Sequence, residues 1–271
     1  MYFITDELVF PPVENANVEG LLAVGGDLSP ERLLLAYQNG IFPWFDNDSI
    51  ILWWSPDPRM VLFPNEIKVS KSMKKVIRNK QFRLTKNTCF ERVLEYCSSV
   101  PREGQDGTWI TEAMITAYIK LHKNGIAQSY EVWEEDKLVG GLYGVDLGHV
   151  FCGESMFSLT SNASKFAFIK LAEELSLNEY KVIDCQLHTD HLASMGAKEI
   201  ARKDLDELDK FLKLYPAVGE SEHYTLLVQS VKTATSVNLS GVERVFKSTQ
   251  EETLQASKED IERLKTSVLN K

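Results

Sequence analysis

The chain has 271 residues, 44% of them hydrophobic and 25% charged, with a net charge of −9. Such a length suits one large domain or two modest ones, with enough apolar material for a sizeable core. No run approaches 18 apolar residues, which excludes a transmembrane helix, and the acidic balance argues against a general nucleic-acid binder.

The opening "MYFITDELVF" has no basic region and carries Asp6 and Glu7 early, unlike a secretory signal. Cys89, Cys97, Cys152 and Cys185 lie far apart and form no CxxC pair. A disulfide framework or a cysteine zinc site is therefore not expected, and the cytoplasm is the expected compartment.

Up to about Leu62 the chain is rich in turns: "FPP", "VGGDLSP", "GIFPWF" and "SPDP". One helix lies between them, with Ser29 as cap, Pro30 at its first position, "ERLLLAYQ" as the apolar stripe and Gly40 at its end. From Phe63 helices and strands alternate. Ser70 opens a basic helix "KSMKKVIRN", "FRLTK" reads as a strand and "ERVLEYCSS" as a helix. Thr111 caps "EAMITAYIKLHKN" and Gly125 closes it. Strands "AQSYEVWE", "LVGGLYGVDL" and "GHVFCGES" follow, joined by hairpin turns. The helix "NASKFAFIKLAEELS" comes next, with Asn162 as its expected cap. The strand "YKVIDCQ" and the helices "DHLASMG" and "LDELDKFLK" complete a mixed α/β region. After Tyr215 the chain changes character and ends in a charged helix with a thin apolar stripe, in which no chemistry is visible. The expected division is a small N-terminal domain over 1–62, a catalytic domain over 63–215 and a C-terminal extension over 216–271.

Residues 67–86 hold eight Lys or Arg and no acid. Such a local +8 can grip a phosphate backbone even on an acidic protein, and it can equally be a solvated helix face beside a basic hairpin.

The polar groups crowd at "IDCQLHTDHLASMGA". Asp184 and Gln186 sit two apart on a strand, so both side chains are expected on one face, near the strand's carboxyl end. A carboxylate there orients an amide, and an amide orients an amine; the plainer reading is an Asp that caps the next helix. His188 and His191 are three apart, a weak metal signal without a third ligand. "FCGESMFS" puts Glu154 at an expected strand end, where burial beside aromatics would raise its pKa. Trp44, Trp53, Trp54 and Trp109 fall in turns, and either wall a pocket or tie the first segment to the second. Neither a GxxxxGK[ST] loop nor a GxGxxG turn nor a GxSxG elbow is present, so nucleotide hydrolysis, dinucleotide binding and that hydrolase class lack support.

In this order the strings "GLLAVGGDLSPERLLLAYQNGIFPWF", "WWSPDPR", "GTWIT", "EVWEEDKLVGGLYGV", "FCGESMFS", "NASK" and "IDCQ" resemble the leucyl/phenylalanyl-tRNA–protein transferase family, over about residues 9 to 204. The resemblance implies an α/β (α+β) fold, a small N-terminal domain on a GNAT-like acyltransferase domain with a mixed sheet. It implies transfer of Leu or Phe, and Met less well, from tRNA to the N-terminal Arg or Lys of proteins, which marks them for proteolysis. It implies no metal and no small cofactor, because the aminoacyl-tRNA is the activated donor. Asp184 and Gln186 take the catalytic positions. Trp44, Trp109, Leu142, Glu154 and Ile183 take substrate-binding positions, and Leu171 and Leu175 stand where the family has aromatics. Residues beyond about 217 match nothing in the family.

Aligning an amine with an ester carbonyl is worth up to about 7–11 kcal/mol. Gln186 is expected to orient the amine through its carbonyl oxygen, with Asp184 holding Gln186. An ordinary Asp, near pKa 3.9, is a poor base at neutral pH; the alternative is a proton shuttled by the neighbouring ribose hydroxyl. Lys74, Lys75 and Arg78 are the expected tRNA contacts. The expected partners are thus charged tRNA and acceptor proteins, with no membrane, and the chain is expected to act as a monomer. The competing readings are an acetyl-CoA-dependent GNAT acetyltransferase and a non-enzymatic RNA- or protein-binding module. Against the former, no [RQ]xxGx[GA] loop follows the strand at 149–154.

Overall fold

The computed structural model describes residues 2–45, 50–100 and 109–204. The expected helix "LDELDKFLK" and the whole 216–271 extension lie outside these residues. The strands are β1 (Tyr2–Ile4), β2 (Leu21–Gly25), β3 (Phe42–Pro43), β4 (Leu52–Trp54), β5 (Arg59–Leu62), β6 (Arg83–Lys86), β7 (Ala127–Glu134), β8 (Lys137–Asp146), β9 (Val150–Ser158), β10 (Val182–Gln186) and β11 (Lys198–Ile200). The helices are α1 (Pro30–Gln38), α2 (Lys71–Arg78), α3 (Phe90–Ser99), α4 (Glu112–Lys123), α5 (Ala163–Leu177) and α6 (Asp190–Ser194).

A four-stranded sheet runs β1-β2-β4-β3, and a seven-stranded sheet runs β11-β5-β10-β9-β8-β7-β6. The change of sheet falls between Trp54 and Arg59, so β5 brings the last residues of the 1–62 segment into the larger sheet. The larger sheet is mixed. β6 to β9 are antiparallel neighbours, β10 lies parallel to β9, and β5 runs antiparallel to β10. This is the mixed α/β architecture expected.

Side-chain caps set several helix starts. Ser29, Ser70 and Thr111 accept bonds from the backbone N–H groups of Arg32, Met73 and Met114, as their spacing predicts. Asn162 precedes α5 but does not cap it; it takes the left-handed conformation, and the hydroxyl of Ser158 accepts the Ser164 N–H instead. The start of α5 is pressed onto β8: a Cβ added at Gly140 would lie 2.5 Å from Ala163 Cβ.

Two apolar layers result. One joins α1, α3 and α4 to the sheets through Leu33, Tyr37, Trp53, Val93, Leu94 and Tyr118. The other packs α2 and α5 on the opposite face, through Met73, Phe82, Phe166, Leu171 and Leu175. Because the first layer draws on both sheets, the N-terminal segment is welded to the larger sheet by shared core. Among the described residues no helix is long and apolar enough to cross a membrane.

Candidate active site

The site lies where two parallel strands part. Pairing between β9 and β10 ends at Cys152 and Asp184, while β9 runs on beside β8 to Ser158. Each strand carries a bulge at this fork. In β9, Tyr143 and Gly144 oppose Ser155 and Gly153, which leaves Glu154 as the extra residue. In β10, Asp184 and Gln186 oppose Val61 and Met60, which leaves Cys185 as the extra residue. Bulges re-aim side chains and end pairing, and here both do so at one place.

Two sequence expectations are corrected by these bulges. Glu154 is not at a strand end but within β9. Nor do Asp184 and Gln186 share one face as a period of two would have it. Cys185 and Gln186 both border the cavity that opens at the fork, and Asp184 does not. Gln186 is held with φ at +64°, a conformation that costs an ordinary residue roughly 1–2 kcal/mol.

Asp184 is 3% exposed and faces a guanidinium that the sequence reading missed. Arg59 Nε donates to its Oδ1 at 2.8 Å and Nη2 to its Oδ2 at 2.7 Å. The Gln186 backbone N–H also donates to Oδ1, at 2.9 Å. Asp184 thus bonds Gln186 through its backbone rather than its side chain, and it does not line the cavity. Arg59 enters the sequence reading only as the last residue of "WWSPDPR", with no role of its own.

The Gln186 side chain is held from the other strand. Its Nε2 donates to Glu154 Oε1 at 2.7 Å, and Tyr118 on α4 donates its hydroxyl to Glu154 Oε2 at 2.7 Å. Tyr118 is in turn hydrogen-bonded to the hydroxyl of Tyr37 on α1. Burial pushes the Glu154 carboxyl up to about 7, although the bonds from Tyr118, Tyr37 and Gln186 pull the other way. Burial, and the nearby Glu154 carboxylate, hold both tyrosine hydroxyls well above their usual range, so they stay protonated donors. The two tyrosines sit in "LAYQ" and "TAYIK", where helical spacing marks them as core, so nothing local betrays this role.

The cavity has a volume of about 880 Å³ and is mostly apolar. Trp44, Trp109, Leu142, Glu154, Leu171 and Gln186, all expected at the site, line it, together with Phe42, Phe157 and Phe168. Leu175 and Ile183 do not. Leu175 lies one turn beyond Leu171, and Ile183 precedes the bulge; both are buried in the α5 layer. Trp44 is placed by its neighbour, since Trp54 Nε1 donates to its carbonyl at 2.7 Å and the rings lie 5.6 Å apart. Trp53 is core, wholly buried, with its Nε1 on the Gly25 carbonyl.

The histidines separate. His191 borders the cavity, and burial lowers its pKa, which favours the neutral ring. His188 faces Asp190 and Glu199 at 3.5 and 3.9 Å. Among the described residues no three His, Cys, Asp or Glu side chains gather as a metal would require. Lys74, Lys75 and Arg78 stand exposed on α2, whose apolar side packs against α5.

The leucyl/phenylalanyl-tRNA protein transferase family matches residues 61–209, and the N-terminal domain of that family matches residues 26–57. The leucyl/phenylalanyl-tRNA–protein transferase of Flavobacterium johnsoniae is 58% identical over 204 residues, covering 75% of this chain and 96% of that protein. The one from Syntrophobacter fumaroxidans is 53% identical over 203 residues, covering 75% of this chain and 87% of that protein. Among solved structures, a GCN5-related N-acetyltransferase from Kribbella flavida matches with a TM-score of 0.30, at 9% identity over 62% of this chain and 60% of that one. The chain therefore belongs to the leucyl/phenylalanyl-tRNA protein transferase family and is a transferase enzyme.

Proposed function

We propose that the enzyme moves Leu or Phe, and Met less well, from its tRNA to the N-terminal Arg or Lys of a protein, marking that protein for proteolysis in the cytoplasm. The catalytic domain is the one built on the seven-stranded sheet, and the small N-terminal domain closes its cavity with Phe42, Pro43 and Trp44. The observation that carries this reading is the Gln186 amide: its NH2 is bound to Glu154, so its carbonyl oxygen is the end offered to a substrate in the cavity.

The donor ester is already activated, so the protein has to align rather than activate. The side chain of the amino acid enters among Trp44, Trp109, Leu142 and Leu171, where apolar shape is worth about 1–3 kcal/mol per methylene. The acceptor amine, with an ordinary pKa of about 7.7–8.0, must be neutral to attack. Gln186 Oε1 accepts one of its N–H groups and aims the lone pair at the ester carbon. The new C–N bond forms as the bond to the ribose oxygen breaks. The proton lost by the nitrogen ends on that ribose oxygen, which leaves as a hydroxyl on the tRNA. Asp184, with its oxygens on Arg59 and the Gln186 backbone, is not placed to act as base; in this reaction it fixes Gln186. Lys74, Lys75 and Arg78 bind phosphates of the donor.

The test is transfer of labelled Leu and Phe from charged tRNA to a protein beginning with Arg, by wild type and Gln186→Ala. Transfer that collapses in the folded variant supports the reading. Failure of wild type with both donors overturns it and turns attention to acetyl-CoA. Replacing Lys74, Lys75 and Arg78 together should weaken tRNA binding and flatten its dependence on salt. An unchanged slope would return α2 to a plain solvated helix.

A further inference from the structure

Arg59 is 1% exposed, yet it commits the whole of its guanidinium to groups around the cavity. Two of its nitrogens hold Asp184 in a fork, at 2.8 and 2.7 Å. The third, Nη1, donates to the Gly40 carbonyl at 3.1 Å, just before β3. Its Cζ lies over the Phe42 ring, 4.8 Å from the centre, and Phe42 lines the cavity next to Pro43 and Trp44. One side chain therefore touches both the strand that ends in Gln186 and the start of β3, which forms part of the aromatic wall. Only a planar, forked cation does all of this at once: an ammonium has neither the two parallel donors nor the flat face.

We propose that Arg59 is a positioning residue that couples the reacting centre to the side-chain wall, and so helps to set both the rate of transfer and the choice between donor side chains. This rests on the transferase reading above. Through Asp184 it fixes the left-handed Gln186 backbone, whose N–H shares Asp184 Oδ1 with Arg59 Nε. Through Gly40 and Phe42 it sets the depth at which Trp44 stands. Asp184 touches the first of these and not the second, so substitutions at the two partners should leave different marks.

The experiment compares Arg59→Lys, Asp184→Asn and the double variant in single-turnover transfer of Leu and of Phe, with tRNA affinity measured alongside. Arg59→Lys should slow transfer at least tenfold with tRNA affinity within twofold of wild type. It should also change the Leu-to-Phe rate ratio by threefold or more. Asp184→Asn should slow both donors alike and leave their ratio within about 1.5-fold. The double variant should be within about threefold of Arg59→Lys alone, because both act on Gln186 along one path. Arg59→Lys at near-wild-type rate, an unchanged donor ratio, or rate losses that multiply in the double variant would each overturn the proposal. Hydrogen exchange over 183–187 gives a readout that needs no activity: both single variants should lose more protection there than in the rest of the seven-stranded sheet. Protection equal to wild type in Arg59→Lys overturns the coupling even if the transferase reading itself fails. Should Arg59→Lys not fold, the neutral pair Arg59→Gln/Asp184→Asn leaves no buried charge unpaired and is compared with Asp184→Asn. A shift in donor ratio confined to the pair supports the proposal, and equal ratios overturn it.

Discussion

Asp184 and Glu154 lie on neighbouring parallel strands, both nearly buried, both bonded to Gln186, and their surroundings differ in one respect. Asp184 meets a cation, in a bidentate pair that matches its charge within the core. Glu154 meets neutral donors, the Tyr118 and Tyr37 hydroxyls and the Gln186 amide. The first is an anchor whose charge is balanced by the Arg59 guanidinium. The second is a carboxyl that burial brings to about 7, at the edge of the cavity, with the Gln186 amide NH2 bonded to it. Environment, more than residue type, divides the labour between two acids at one site.

The largest difference should appear on deleting the anchor. Asp184→Ala leaves the Arg59 guanidinium buried without its carboxylate, and stability should fall by about 3–5 kcal/mol in urea unfolding. Glu154→Gln, which strands no charge, should cost less than about 1.5 kcal/mol at pH 5. Equal losses would break the contrast. The second difference is in pH dependence. The Glu154 carboxyl rises from an ordinary 4.5 to about 7 on folding, so the fold binds its proton more tightly than the unfolded chain. The stability this lends is complete below about pH 4.5 and is lost as the pH rises through about 7, roughly 3 kcal/mol in all. Between pH 5 and 8 wild type should therefore lose stability relative to Glu154→Gln. Parallel curves would mean that some other group compensates the Glu154 charge.

Much of this architecture is legible in the sequence, because it rests on local chemistry. Ser29, Ser70 and Thr111 cap where they are expected to, since a hydroxyl one residue before an apolar helical stripe has one obvious acceptor role. The strands β7 and β8 fall where the runs "AQSYEVWE" and "LVGGLYGVDL" between turn signals place them, and β8 is buried on both faces. What local pattern misstates is the fork. "GHVFCGES" reads as a strand that ends at Glu154, yet β9 continues to Ser158, held by β8. A period of two puts Asp184 and Gln186 on one face, yet a bulge set by pairing with β5 separates them. Arg59 stands 125 residues from Asp184, and no spacing rule spans that distance. Cavity residues such as Trp44, Trp109 and Leu171 are legible through family resemblance, whereas helical periodicity alone cannot tell Leu171 from Leu175, one turn away.

The smallest and most specific test of the contrast is at the tyrosines. A hydrogen bond donated to the ionised form of an acid favours that form, so Tyr118 holds the Glu154 carboxyl lower than burial alone would. Tyr118→Phe removes that donor and leaves the cavity wall intact, since Tyr118 does not line it. If the ionised carboxyl is what keeps the Gln186 carbonyl turned to the substrate, transfer falls on the acid side as Glu154 takes its proton. The variant should then move that acid limb to higher pH by up to about one unit, as loss of a bond to a charged group worth about 1.5 kcal/mol would. Tyr37→Phe, one bond further along the chain of hydroxyls, should move it the same way by less. Transfer measured from pH 5.5 to 8.5 at saturating donor separates this from titration of the acceptor amine, which neither tyrosine touches. An acid limb that stays put in both variants would show that it belongs to the amine, and that Glu154, like Asp184, serves only as an anchor.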